Sequence, residues 1–241
     1  MTDRAETGSS RAMDFISAFN EIETFLRVEL GAKRSDSFWW MVDKAASKHW
    51  LSSDQAAVLK DYGNLRNAIS HGKFNDGKPI AEPFQETVDS INHIKSLLLD
   101  PPLALSVLED QEVITLHPDD SITHLFELIR AKDVSQFPVY SDGHFVTLLT
   151  MNALTRWVAE YIADIPEEAR VHDTIKYIKK HEQAVFLPRT VSAQEAYDAL
   201  AIPNKRGQTP RAIVITESGS KDQKPLRVIS PRDLPALLSK L

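Results

Sequence analysis

Between Phe15 and Leu26 the apolar positions fall at Phe15, Ala18, Phe19, Ile22, Phe25 and Leu26, the spacings of one helical stripe. A second helix is predicted over residues 38–49, with Trp39, Trp40 and Val42 to bury. The third opens at Ser52, where Ser52-Ser53-Asp54-Gln55 has the form of a capping box, and closes at Gly72, a C-terminal cap. The fourth opens with Glu82-Pro83, proline being favoured in a first turn, and turns Phe84, Val88, Ile91, Ile94 and Leu98 inward. Four such helices predict an all-α bundle over residues 11–99, with residues 72–80 as a loop and residues 1–10 as a loose tail.

The pattern changes at Asp100-Pro101-Pro102, because consecutive prolines cannot continue a helix. Beyond it, short β-like runs alternate with helices. Residues 113–116, 138–140 and 145–149 read as strands, and 121–131 and 152–162 as helices. The order then recurs: strand 184–187, helix 192–200, strands 212–215 and 226–229, closing helix 234–241. Leu116 matches Leu187, Ser121 matches Ser192, Phe126 matches Tyr197, Val139 matches Val214 and Thr150 matches Ser230. Two copies of a βαββα unit are therefore predicted over residues 103–241, the first at 103–164 and the second at 170–241. The fold class is α+β, a helical bundle followed by an α/β tandem repeat.

Charge narrows the range of partners. The net charge of −6 divides evenly, three at each side of residue 100, so neither half is a basic arm for non-specific nucleic-acid binding. No apolar run approaches the ~20 residues of a membrane span. Residues 1–10 lack the apolar core of a secretory signal. There are no cysteines, which excludes disulfides and thiolate metal sites and suits a reducing cytoplasm. The histidines are scattered, and no metal cluster is predicted.

Phe137-Pro-Val-Tyr140 with Leu148-Leu-Thr150, and Val228-Ile-Ser-Pro-Arg-Asp-Leu234, carry a resemblance to a tandem pair of CBS domains. It covers residues 103–241. The resemblance implies an adenine nucleotide or related ligand in a cleft between the repeats, and a ribose-binding pattern of Ser or Thr, two residues, then Asp. Ser230 and Asp233 keep that pattern in the second copy. The carboxylate would accept from ribose hydroxyls. Arg232, Arg211, Lys205 and Arg206 would supply charge for phosphate. In the first copy Thr150 is present, but Ala153 stands where the Asp would be, so one competent site is expected. Helix capping by Ser230, Pro231 and Asp233 accounts for the same three residues without a ligand.

On the third helix, Val58, Tyr62, Leu65 and Ile69 form an apolar stripe, with Lys60, Asn64, Asn67 and His71 opposite. Arg66 lies about 140° round the helix from His71. Arg66-Asn67-Ala-Ile-Ser-His71 resembles the Arg, polar residue, three others, His motif of HEPN domains, helical bundles that often dimerise. Many of these are metal-independent ribonucleases. The resemblance implies His71 as general base or acid, Arg66 as stabiliser of phosphate charge, and Asn67 as an orienting group. A His in a last helical turn also complements the helix dipole with no catalytic duty.

Two functions are compatible with these features. One is a homodimeric sensor-effector in which an adenine nucleotide regulates RNA cleavage. The other is a non-enzymatic regulator that senses the nucleotide and acts on a protein partner.

Overall fold

The computed structural model describes residues 10–71 and 81–241, with His71 described by its backbone alone. The expected tail through residue 9, the Gly72 cap and the loop to Ile80 lie outside the described residues. The chain divides into two compact units, residues 1–101 and 102–241.

Among the described residues, the first unit holds four helices. Helix α1 (Arg11–Glu29) starts at Ser10, whose side chain accepts from the Met13 amide. Helix α2 (Phe38–Ser47) starts the same way at Ser37. Helix α3 (Ser53–His71) opens with the predicted capping box: the Ser52 amide donates to Gln55 Oε1 (2.9 Å) and the Gln55 amide to Ser52 Oγ (3.2 Å). Helix α4 (Gln85–Leu99) ends before the paired prolines. Helix α1 packs against the other three, and Phe15, Ile22, Leu26, Met41, Leu59, Ile69 and Ile91 are all fully buried.

Three side chains depart from the expected burial. Trp39 and Trp40 remain 36% and 39% exposed, since the buried stripe of α2 is Phe38, Met41, Val42 and Ala45. Phe84 is 77% exposed rather than inward, because it is the N-cap of α4 and precedes the helical stripe. On α3, Leu59 joins Ile69 in the core, while Val58, Tyr62 and Leu65 pack at its margin. Gly63 sits mid-helix where a Cβ would come 3.4 Å from the Phe38 ring and 3.5 Å from Trp39. Those are ordinary van der Waals distances, so α2 would tolerate an alanine there.

The second unit runs α5 (Ala104–Val107), α6 (Ile122–Ala131), β1 (Gln136–Ser141), β2 (His144–Thr150), α7 (Met151–Glu160), α8 (Val171–Ile175), β3 (Ala184–Pro188), α9 (Ala193–Ala201), β4 (Ala212–Thr216), β5 (Arg227–Ile229), a 3-10 turn (Pro231–Asp233) and α10 (Leu234–Leu238). Together the units give the expected α+β class.

Strands β1 and β2 form a hairpin closed by Asp142-Gly143, both at positive φ (50° and 79°), the backbone of a type I′ turn. Strand β3 runs parallel to β4, and β4 antiparallel to β5. The predicted strand at 113–116 is reduced to one parallel bridge, Leu116 to Val139. Residues 111–114 line a cleft instead of pairing.

Strand register corrects one pairing of the repeats. Leu116 bridges Val139, and Leu187 pairs with Ile215, so Val139 corresponds to Ile215 and not to Val214. Val139 and Ile215 both face helices, in the two helix-covered cores. Val214 faces the other way, joining Leu148, Ala212 and Val228 between the two sheets. A slip of one residue exchanges the faces of a strand. The remaining capping matches agree: Ser121 and Ser192 cap α6 and α9, and Thr150, at the end of β2, and Ser230, just after β5, each precede a helical turn.

The repeats also exchange their leading segments. Ala104 and Leu108 pack with Val191, Ala196 and Ile215 of the second repeat, and the Ala104 amide donates to Val191 O (2.9 Å). Ala169 and Val171 pack with Leu125, Val139 and Trp157 of the first. The second unit is thus one interlocked body. Among the described residues, no helix is long and apolar enough to cross a membrane.

Candidate functional site

The chain leaves β5 at Ser230 in extended conformation and turns at once through Pro231–Asp233. Proline at the first position fixes φ for that turn. Asp233 folds back so that its Oδ2 accepts from the Ser230 amide (2.8 Å) and the Ser230 hydroxyl (3.1 Å). Its Oδ1 accepts from Arg227 Nη2 at 3.2 Å. Arg227 is 7% exposed and also donates to the Glu109 carbonyl. The capping reading is therefore real. A carboxylate offers about four lone-pair sites, so with three donors in place Asp233 retains room for one further hydroxyl.

These residues form one wall of a cleft of about 290 Å³. Arg211, Val228, Ser230, Arg232 and Asp233 come from the second repeat, while Gln111–Ile114 and Asp133–Gln136 of the first supply the opposite wall. Arg211, Ser230, Arg232 and Asp233, all expected at a nucleotide site, thus meet in one place. The predicted closing helix is shorter than expected, five residues. Lys205 and Arg206 are exposed and do not line the cleft.

Charges alternate around the cleft. Glu112, Asp133 and Asp233 are acidic, Arg211 and Arg232 basic. Arg232 reaches across to Asp133 with Nη1–Oδ2 at 2.5 Å and Nη2–Oδ1 at 3.2 Å. The hydrogen bond from Arg232, reinforced by its charge, holds the Asp133 carboxyl below its ordinary value, and the same pair raises the Arg232 guanidinium. Arg211 differs: its Nε is buried and has no hydrogen-bond partner. A buried unsatisfied donor is costly.

Thr150 stands apart from this cleft. It is 1% exposed; its hydroxyl caps α7 by accepting from the Ala153 amide and donates to Glu182 Oε1 at 3.2 Å. Glu182 is itself 1% exposed and accepts from Arg156 Nη1 (2.7 Å), Arg156 Nη2 (3.2 Å) and the Lys179 amide (2.9 Å). Burial would raise this carboxyl, but the hydrogen bonds from Arg156, Lys179 and Thr150 outweigh it and hold it at about 2. Sequence reading missed this network because Thr150, Arg156 and Glu182 follow no local spacing. It missed Gln111, Asp133 and Gln136 for the same reason, as they belong to the opposite repeat.

In the helical unit, Arg66 and Asn67 are both half-buried on α3. Arg66 Nη1 donates to Asn67 Oδ1 at 3.3 Å, and its guanidinium lies 5.8 Å from the Phe19 ring centre. Its Nε is buried without a partner. The His71 side chain lies outside the described residues. Among the described residues, no group of three or more His, Asp or Glu is placed to hold a metal ion.

Comparison with known proteins bears on the second unit. Residues 107–160 match the family model of the CBS domain. No curated protein matches the chain. Among solved structures, a CBS-domain containing protein from Agrobacterium tumefaciens is 18% identical, covering 57% of this chain and 92% of its own, with a TM-score of 0.41. The CBS domain of a membrane protein from Sphaerobacter thermophilus is 17% identical over 58% and 88%, TM-score 0.41. A hemolysin-like protein containing a CBS domain from Oenococcus oeni is 13% identical over 56% and 88%, TM-score 0.40. The C-terminal part of this chain carries a CBS domain.

Proposed function

We propose that the C-terminal unit senses an adenine nucleotide in the cleft between its two repeats, one ligand per chain, and that occupancy regulates the N-terminal bundle within a homodimer. The observation that carries this reading is the meeting of Arg211 and the turn residues Ser230, Arg232 and Asp233 with Gln111–Ile114 and Asp133–Gln136, far away in sequence, around one cleft. Adenine as the base follows from the CBS resemblance. Asp233 keeps acceptor capacity for a ribose hydroxyl, and Arg211 offers donors to phosphate. Thr150 spends its hydroxyl on Glu182 and Ala153, which supports a single site. Regulation requires the ligand to bind one arrangement of the protein more tightly than another.

Thermal melting in the presence of adenosine, AMP, ADP and ATP tests the sensor. A ligand that binds the native state alone raises the melting temperature, and Asp233→Asn should diminish the rise. No rise with any of the four at millimolar concentration refutes it.

A second reading, metal-independent RNA cleavage by the bundle, draws support from Arg66, whose guanidinium is held beside Asn67 and keeps an unpartnered Nε. His71 would exchange the proton with a ribose 2′-hydroxyl or the leaving oxygen, and Arg66 would offset phosphate charge. Cleavage of labelled RNA in EDTA by the wild type, lost in Arg66→Met and His71→Ala, is the expected result. Equal background in all three leaves the bundle as an interaction module acting on a protein partner.

A further inference from the structure

The cleft's charges are already committed, with one exception. Asp233 is held by Arg227 from beneath the cleft. Glu112 lies 3.5 Å from Lys132, and Arg232 is engaged by both oxygens of Asp133. Among the described residues no carboxylate lies within ion-pair distance of Arg211, and its Nε has no acceptor. An incoming anion therefore meets one uncommitted guanidinium and, at the rim, the carboxylates of Glu112 and Asp133.

The Asp133–Arg232 pair has little structural value. Its side chains are 86% and 68% exposed, and such pairs contribute little to stability. The pair does, however, join the two repeats across the lining of the ligand cleft. We propose that Asp133 is a specificity determinant: by occupying Arg232 it leaves Arg211 as the single phosphate anchor and restricts the ligand to one bearing a single phosphate. A guanidinium fork matches one phosphate group. Each further phosphate of a di- or triphosphate has to displace Asp133 from Arg232 and then lie beside the freed carboxylate. Rejection by an unpaired like charge is a common source of selectivity. The proposal rests on the nucleotide reading of the cleft and adds the number of phosphates to it.

Isothermal titration of the full chain with adenosine, AMP, ADP and ATP, in wild type, Asp133→Asn and Arg211→Met, separates the two ideas. In the wild type AMP should bind about tenfold more tightly than ATP, since one unfavourable charge contact is enough for such a ratio. Asp133→Asn, a change at an exposed side chain, should reduce that ratio to about threefold or less by strengthening ATP binding. Arg211→Met should erase the advantage of AMP over adenosine while leaving the melting temperature of the empty protein close to wild type. An AMP to ATP ratio near one in the wild type, or one unchanged by Asp133→Asn, overturns the specificity proposal while the nucleotide reading stands. Failure of all four compounds to bind wild type and both variants overturns the nucleotide reading itself.

Discussion

Replacing Glu182 by Gln removes a buried negative charge that four donors surround, and the cost should depend on pH in a defined way. In the native protein this carboxyl titrates at about 2, against an ordinary value of 4.5. That difference corresponds to about 3 kcal/mol of stability at neutral pH. Because the folded value is the lower one, the contribution is complete above about pH 4.5 and disappears as pH falls towards about 2. Glu182→Gln should therefore cost about 2–3 kcal/mol at pH 7 and about 1 kcal/mol or less near pH 2.5. Arg156→Met should cost more at pH 7, about 3–5 kcal/mol, since it leaves the carboxylate buried and uncompensated.

Urea unfolding followed by fluorine NMR of 5-fluorotryptophan-labelled protein measures this directly. Trp157 is the single tryptophan of the second unit, is 1% exposed, and lies next to Arg156 on α7. Its resonance reports that unit separately from Trp39, Trp40 and Trp50. A stability difference between wild type and Glu182→Gln that stays constant from pH 7 to pH 2.5 would refute the assignment of a charged, hydrogen-bonded carboxylate.

Other parts of the second unit give simpler outcomes. Ser192→Ala deletes the capping box at α9, where Ser192 and Glu195 satisfy each other's amides, and should cost about 1 kcal/mol in the same unfolding assay. Leu148→Ala should cost about 2–5 kcal/mol, because this 1% exposed side chain fills the space between the two sheets with Ala212, Val214 and Val228. Gly143→Ala places a Cβ at φ 79° and should weaken the hairpin by about 1–2 kcal/mol, seen as faster hydrogen exchange along β1 and β2.

Local chemistry was readable from the chain alone. Ser52 with Gln55, Ser121 and Ser192 announce helix starts because a cap needs residues only two or three positions away. Asp142-Gly143 announces a hairpin because few residues accept positive φ. Pro101-Pro102 ends the bundle because proline lacks the amide a helix requires. The double occurrence of the βαββα order followed from the same short-range signals, and with it the likeness of Thr150 to Ser230. One wall of the candidate site, Ser230 with Arg232 and Asp233, was therefore visible as a turn sequence.

What the fold alone decided is whatever depends on distant segments meeting. Strand register set Val139 against Ile215 and turned Val214 to the inter-sheet face, since one residue of slip reverses every side chain. Long-range contact brought Asp133 to Arg232 across 99 positions and withdrew Thr150 from the cleft towards Glu182, 32 positions on. The exposure of Phe84 and the two indoles of α2 was settled by where neighbouring helices lie, not by hydrophobicity. Periodicity records which face of an element is apolar. It carries no information about which charged group from elsewhere will arrive beside it, because that pairing is selected by packing of the whole unit.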